Sequence, residues 1–285
     1  MEIAIAGITK SHDLSRRESN VGKKAKQLRN QQEKSRATVS LYAGGPVAHE
    51  IHPRNAMGLM ELQRDCGKNG IPFKWKIIHG SSVLPDARNI VCKQFLASEY
   101  THLFMVDADI EFSGRDVLRA MATGKDVVGL PCAKRTANFD LAVEVMRKYP
   151  EIPARNLPAY IGGVNFMPLD EDTQPEPDMT LKVGHIGTGA MIISRRALER
   201  FVEAYPERFY NNTITGDRLV EFFRFWTNPE TQEQWGEDYG FCQDMRAAGV
   251  DVYALIDART VHYGSFGFEC DFSKLAANYV REVEK

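Results

Sequence analysis

The sequence predicts an α/β protein with an open, mostly parallel, twisted sheet flanked by helices. Three observations carry that expectation. Between residues 38 and 130, short β-branched and apolar runs alternate with helix-length amphipathic segments, in the β-α-β-α-β-α-β order that builds a parallel sheet covered on both faces. One of those runs, His102–Val106, is largely apolar on successive residues, as a strand buried on both faces must be. The size also fits, because 285 residues with 43% hydrophobic and 26% charged side chains suit one large core domain with additions.

Taken in order, residues 38–43 read as the first strand, with Gly44-Gly45-Pro46 as the turn that ends it. The pattern predicts a helix over 53–67, with a proline near its start, apolar Met57, Met60 and Leu62, and closing glycines at 67 and 70. A strand over 73–78 follows, then a helix over 85–98 with Ile90, Val91, Phe95 and Leu96 on its apolar face. His102–Val106 is next and stops abruptly at Asp107-Ala108-Asp109, ahead of a helix over 114–123 and a strand over 126–130. Residues 150–178, rich in proline and acids, read as a long irregular excursion of the kind that forms functional lids or stays disordered. Beyond it the pattern predicts a strand over 189–194, a helix over 196–205, a helix over 240–248 and a last strand over 252–256 leading to Val261-His262-Tyr263.

The net charge of −2 argues against a basic nucleic-acid-binding protein as a whole, but the average hides an arm. Lys10 to Arg36 carries nine Lys/Arg against three Asp/Glu and has almost no apolar stripe, so it reads as a basic arm, solvated or in contact with a polyanion. The five cysteines are odd in number, widely spaced and without a C-x-x-C pair, which reads as reduced thiols of a cytoplasmic protein. Cys92 and Cys242 fall on apolar helix faces and read as core packing, as do the aromatics Phe222, Phe223, Phe225 and Trp226. No apolar run approaches the ~20 residues a membrane span needs.

Chemistry concentrates at three places. Asp107 and Asp109 flank one small residue at the carboxyl end of a buried strand, the edge where open α/β sheets bind ligands. Two carboxylates there repel each other unless a cation lies nearby, and Mg²⁺ or Mn²⁺ takes oxygen ligands while leaving positions for phosphate oxygens. A strand-end turn with an Asp capping the next helix is the competing explanation. Glu237-Asp238 pairs two acids between Trp235 and Tyr239, a setting that raises one carboxyl into the range of a general base or merely caps a helix. His262 follows the final strand, where an imidazole can return to the same sheet edge. Lys134 and Arg135 put positive charge near that edge, to meet phosphates or to face solvent.

In this order the segments resemble the GT-A glycosyltransferases. The motifs are the strand 38–45, Asp86-Ala87-Arg88-Asn89 in the second helix, Asp107-Ala108-Asp109, Gly187-Thr188-Gly189-Ala190-Met191 before a strand–helix unit, Glu237-Asp238-Tyr239-Gly240-Phe241 opening a helix, and His262 last. The likeness covers about residues 37–268, which it implies is a single GT-A catalytic domain, with the basic arm 1–36 before it and a helical tail 269–285 after it. Within the family the chain is most similar to transferases encoded by bacteriophages, some of which decorate modified bases in DNA. The resemblance implies Mn²⁺ or Mg²⁺ bound by Asp107, Asp109 and His262, with Asp107 alternatively reaching the donor ribose. It implies Asp238 as the base of an inverting reaction, with Glu237 positioning it or the acceptor. It also implies a nucleotide-sugar donor, UDP-linked, against Ala43, Gly44, Gly45, Asp86, Arg88, Asn89, Asp107, Gly187, Thr188 and Gly189. Asp86 with Arg88 also reads as a surface ion pair, and Gly187 with Gly189 as turn residues.

Rival readings are a nucleotidyltransferase of related fold and a non-catalytic carbohydrate- or nucleic-acid-binding module. The first lacks a basic, glycine-rich phosphate loop after the opening strand, since Gly44-Gly45-Pro46-Val47-Ala48-His49 has no Lys or Arg. The joint presence of Asp107, Asp109, Asp238 and His262 counts against the second. The basic residues 10–36 make DNA an acceptor to consider, by neutralising phosphates.

Overall fold

The computed structural model describes residues 39–272, apart from 48–49, 80–82, 214 and 265–266. The basic arm 1–36 and residues 273–285 of the expected tail lie outside the described residues. The chain enters on β1 (Leu41–Val47) and continues through α1 (Pro53–Lys68), β2 (Phe73–His79), α2 (Leu84–Leu96) and β3 (His102–Val106). A short β4 (Ile110–Phe112), α3 (Gly114–Ala122) and β5 (Val127–Gly129) follow. The middle of the chain forms β6 (Ala133–Ala137), α4 (Phe139–Lys148), α5 (Pro158–Ile161), β7 (Gly162–Val164), β8 (Phe166–Pro168) and β9 (Thr180–Ile186). Then come β10 (Ala190–Ser194), α6 (Arg195–Ala204), the small strands β11 (Phe209–Asn211), β12 (Arg218–Val220), β13 (Trp226–Thr227) and β14 (Gln234–Trp235), and α7 (Glu237–Ala247). The last described strands are β15 (Val252–Leu255), β16 (Thr260–Tyr263) and β17 (Gly267–Cys270).

Eight strands make the central sheet in the order β2-β1-β3-β10-β5-β15-β9-β8. β1 pairs in parallel with β2 and β3, and β5 with β15; β10 and β9 run against their neighbours, so the other six point the same way. This is the expected mixed α/β architecture, a large sheet flanked by helices and consistent with a GT-A-like domain. All the described residues belong to one compact unit.

Alternation along the strands divides the core in two. Leu103 and Met105 of β3, with Met191 and Ile193 of β10, face a cluster built on Phe95, Phe201, Phe223 and Phe241 from the α2, α6 and α7 side. Phe104 and Val106, with Ala190 and Ile192, face Leu59, Leu62, Phe112 and Val117 from the α1 and α3 side. Phe222 and Phe223 are buried, as expected of packing residues, whereas Phe225 is largely exposed. Cys66, Cys92, Cys132, Cys242 and Cys270 are all buried free thiols. Among the described residues no helix is long and apolar enough to cross a membrane.

Several expected boundaries move. Gly44-Gly45-Pro46 is not a turn but the middle of β1, with Gly45 opposite Ile77. A Cβ on Gly45 would lie 1.7 Å from the Val106 carbonyl oxygen, so β1 and β3 approach closely only because a glycine stands there. Pro46 is tolerated because the ladder with β3 has ended at Gly44. Residues 150–178 hold more order than expected, since β7 pairs with β6 and β8 extends the central sheet through β9. α7 begins at Glu237, not at Gly240, which puts both acids in its first turn. The boundary placed at 268 falls inside β17, and Phe272 packs on Phe166 with ring centroids 4.9 Å apart, so the domain runs at least that far.

The unexpected β4 matters most for the site. It starts one residue after Asp109 and joins a three-stranded sheet in the order β17-β16-β4, in which His262 stands opposite Ile110. Residues far apart in sequence are thereby carried to one edge.

Candidate active site at the β3–β4 turn

The turn between β3 and β4 is held through its main chain. Asp107 N–H donates to Gly189 O (2.9 Å), His52 N–H to Ala108 O (2.9 Å) and Tyr263 N–H to Asp109 O (2.8 Å). Asn55, only 2% exposed, donates through Nδ2 to Asp107 O (3.0 Å) and Ile110 O (2.7 Å). Buried carbonyls without such partners would be costly, so this network fixes where the two carboxylates point.

They diverge. Asp107 accepts from Nη2 of Arg88 on both oxygens at 3.0 Å, and Arg88 Nη1 lies 3.7 Å from Glu237 Oε1. Arg88 is 3% exposed, so it is neither a surface residue nor the partner of Asp86. Burial pushes the Asp107 carboxyl up, against the pull of Arg88. Asp109 instead meets Arg135, through Nη2, and His262, whose Nε2 lies 3.4 Å from Asp109 Oδ2. Burial pushes the Asp109 carboxyl up, but the groups facing it, His262 and the Arg135 guanidinium, outweigh it and hold it below the usual range. Among the described residues no group of three or more His, Cys, Asp or Glu side chains is arranged to hold a metal ion. Of the expected trio, Asp109 and His262 lie together, while Asp107 turns to the Arg88 guanidinium.

The partners of His262 settle its tautomer. Nδ1 lies 2.9 Å from Ala133 O, and a carbonyl only accepts, so Nδ1 carries the proton. Nε2 takes a hydrogen bond from Arg135 Nε at 2.9 Å, and a guanidinium only donates, so Nε2 presents its lone pair. An imidazole anchored through Nδ1 to a backbone carbonyl, with the Nε2 lone pair turned toward the site, is oriented as histidine ligands are, and here Arg135 occupies that lone pair. Oxygen and nitrogen donors 3.4 Å apart also match two ligands each about 2.1 Å from a shared ion. The pair fits a divalent cation.

Glu237 and Asp238 occupy the first turn of α7, where the helix dipole favours negative charge. Glu237 is 8% exposed and faces Arg88, so one buried guanidinium ties the β3 terminus to this helix. Asp238 Oδ1 accepts from the Tyr239 N–H at 2.8 Å. A Cβ on Gly187 would come 3.3 Å from Asp238 Oδ2 and 2.1 Å from Asn165 Nδ2, and one on Gly236 would come 2.8 Å from Asp238 Oδ1. Both glycines clear room for the carboxylate. Burial, then the charge of Glu237, pushes the Asp238 carboxyl up, and Arg88 opposes them. Thr188 lies beside them with a buried hydroxyl that meets no hydrogen-bond partner among the described residues. Gly189 packs against Cys132 and Ile110, which makes it part of the floor.

Ala43, Gly44 and Gly45 line a recess with Asn55, Trp75, Lys76, Ile77 and Ala108 on the outer side of the same edge. Asp86 and Asn89 are committed elsewhere. Asp86 accepts from Tyr210 Oη (2.7 Å) and Asn212 Nδ2 (3.0 Å), while buried Asn89 exchanges two hydrogen bonds with the Phe223 main chain. These two residues hold β11–β12 and the segment after it to α2.

No family model matches the chain, and no curated protein matches it. Among solved structures it is similar to one described as the crystal structure of a glycosyltransferase involved in the glycosylation of the major capsid of PBCV-1. Identity is 9%, the match covers 62% of this chain and 71% of that one, and the TM-score is 0.30. So distant a likeness leaves the functional reading to the geometry of the site.

Sequence reasoning missed Asn55, Asn165 and Tyr263 as supports of the site. Asn55 had a signal in principle, a polar residue on the buried face of a helix. Tyr263 had none, because its stacking on His52 (ring centroids 3.7 Å apart) depends on the β16–β4 pairing.

Proposed function

We propose that this protein is a metal-dependent glycosyltransferase that moves a sugar from a UDP-sugar to an acceptor hydroxyl with inversion. The observation that carries the proposal is the Asp109–His262 pair, a carboxylate and a correctly tautomerised imidazole 3.4 Å apart at the carboxyl edge of the sheet. These two would hold Mn²⁺ or Mg²⁺, whose remaining positions suit water and diphosphate oxygens. When bound, the ion offsets the charge that develops on the diphosphate leaving group.

The chain's own residues supply the rest. The main chain at Ala43–Gly45, beside Trp75, Lys76 and Ile77 of β2, would receive the base of the nucleotide. Arg88 lies between Asp107 and Glu237, so one buried guanidinium faces both the donor edge and the base-bearing helix. Asp238, half-buried in the first turn of α7, would take the proton of the acceptor hydroxyl. A DNA acceptor, such as a hydroxylated or hydroxymethylated pyrimidine of phage DNA, rests on the charge of residues 10–36 alone.

A screen of nucleotide-sugars by thermal unfolding tests the reading. The matching donor at about 100 times its Kd should stabilise the fold by about 2.7 kcal/mol, and only with Mn²⁺ or Mg²⁺ present. No stabilisation by any nucleotide-sugar, with or without metal, would remove it.

A further inference from the structure

Arg135 has no task in the reaction above, yet it stands on the atoms that the reaction would use. Its guanidinium donates from Nε to His262 Nε2 at 2.9 Å and from Nη2 to Asp109 Oδ2. It sits on β6, whose ladder with β7 pairs Ala133 with Val164 and Ala137 with Gly162 and shifts register between them. The stretch carrying Arg135 is thus free of regular pairing, and its side chain is 50% exposed. The stem crosses Gly264, where a Cβ would come 3.2 Å from Arg135 Cδ, so that glycine gives the side chain its path.

One lone pair on Nε2 accepts either an N–H or a metal ion, never both at once. We propose that Arg135 is the resting occupant of the Asp109–His262 site, and that a divalent ion displaces its guanidinium, which then binds the donor diphosphate. The inference rests on the metal-dependent reading given above. Asp109 and Arg135 together are neutral; once the ion takes the guanidinium's place and the guanidinium stays beside it, the edge gains the full charge of the dication. Guanidinium groups also match phosphate oxygens in geometry. The diphosphate that holds Arg135 aside strengthens metal binding, and by linkage the metal strengthens diphosphate binding by the same factor.

The test measures Mn²⁺ affinity from the electron paramagnetic resonance of free Mn²⁺, with and without UDP, for the wild type, Arg135→Ala and Arg135→Gln. Circular dichroism checks that each is folded. If the guanidinium holds the site in about nine molecules in ten, its removal tightens Mn²⁺ binding in the absence of UDP by about 10-fold. UDP should tighten Mn²⁺ binding more in the wild type than in either variant. Equal or weaker Mn²⁺ binding by both variants, with the wild type binding Mn²⁺ normally, overturns the role of Arg135 and leaves the metal reading intact. Failure of all three proteins to bind Mn²⁺ even with UDP overturns both.

Discussion

Replacing Asp238 with asparagine is expected to slow transfer by about 10²–10⁴-fold, the usual contribution of a positioned general base, while UDP-sugar binding survives. The substitution keeps the shape of the side chain and its hydrogen bond from Tyr239 N–H but removes the basic oxygen. The raised Asp238 carboxyl also sets a pH dependence. The base form accumulates only as pH rises through that elevated pKa, so the wild-type rate should climb with a midpoint above that of an ordinary aspartate. Stability runs the other way. A group that binds its proton more tightly when folded loses stability as pH rises from its unfolded to its folded pKa. Asp238→Asn should therefore melt higher than the wild type at neutral pH, inactive but more stable. Steady-state rates from pH 4 to 8 and melting curves of the two proteins check both halves; a wild-type rate in the variant removes Asp238 as the base.

The second large effect is on folding. Gly45→Ala puts a methyl group 1.7 Å from the Val106 carbonyl oxygen, main chain against side chain with nothing flexible to yield. β1 would have to leave β3, and with it the recess at Ala43–Gly45 and the support under Asp107. The expected cost exceeds about 4 kcal/mol, a large part of the 5–15 kcal/mol typical of a whole domain. Gly67→Ala is the control. It lies in α1 with nothing within 4 Å of the added Cβ, and alanine there should stabilise the helix by about 0.5–1 kcal/mol. Urea unfolding of both variants decides the matter, and a Gly45→Ala midpoint equal to that of the wild type would contradict the account of the sheet.

The sheet was legible because β3 and β10 are almost wholly apolar and buried, and helix 53–68 because a proline opens it and glycines close it. Of its expected apolar positions Leu62 faces the core, whereas Met57 and Met60 are exposed and Leu59 and Cys66 fill their place. Strands of three residues, such as β4, carry no period to read. That one omission hid how His262 reaches Asp109. Gly44-Gly45 misled for a physical reason, since a glycine pair signals a turn as readily as a close strand contact. At the site, Asp109, Asp238, Glu237 and His262 stood out as chemically unusual residues at strand and helix ends. Asp107 was visible too, but not that Arg88 neutralises it. Such pairing depends on α2 packing beneath β3, which sequence spacing does not reveal. Asp86 and Asn89 share a motif with Arg88 yet turn to other partners, because successive helix positions face different ways.

Anomalous scattering from a crystal soaked with Mn²⁺ and UDP measures the central point directly. The account predicts one manganese peak bonded to Asp109 Oδ2 and His262 Nε2, with diphosphate oxygens on the same ion and the Arg135 guanidinium moved off both side chains. A peak bound elsewhere, with Asp109 and His262 still holding Arg135 while UDP is in place, would contradict it.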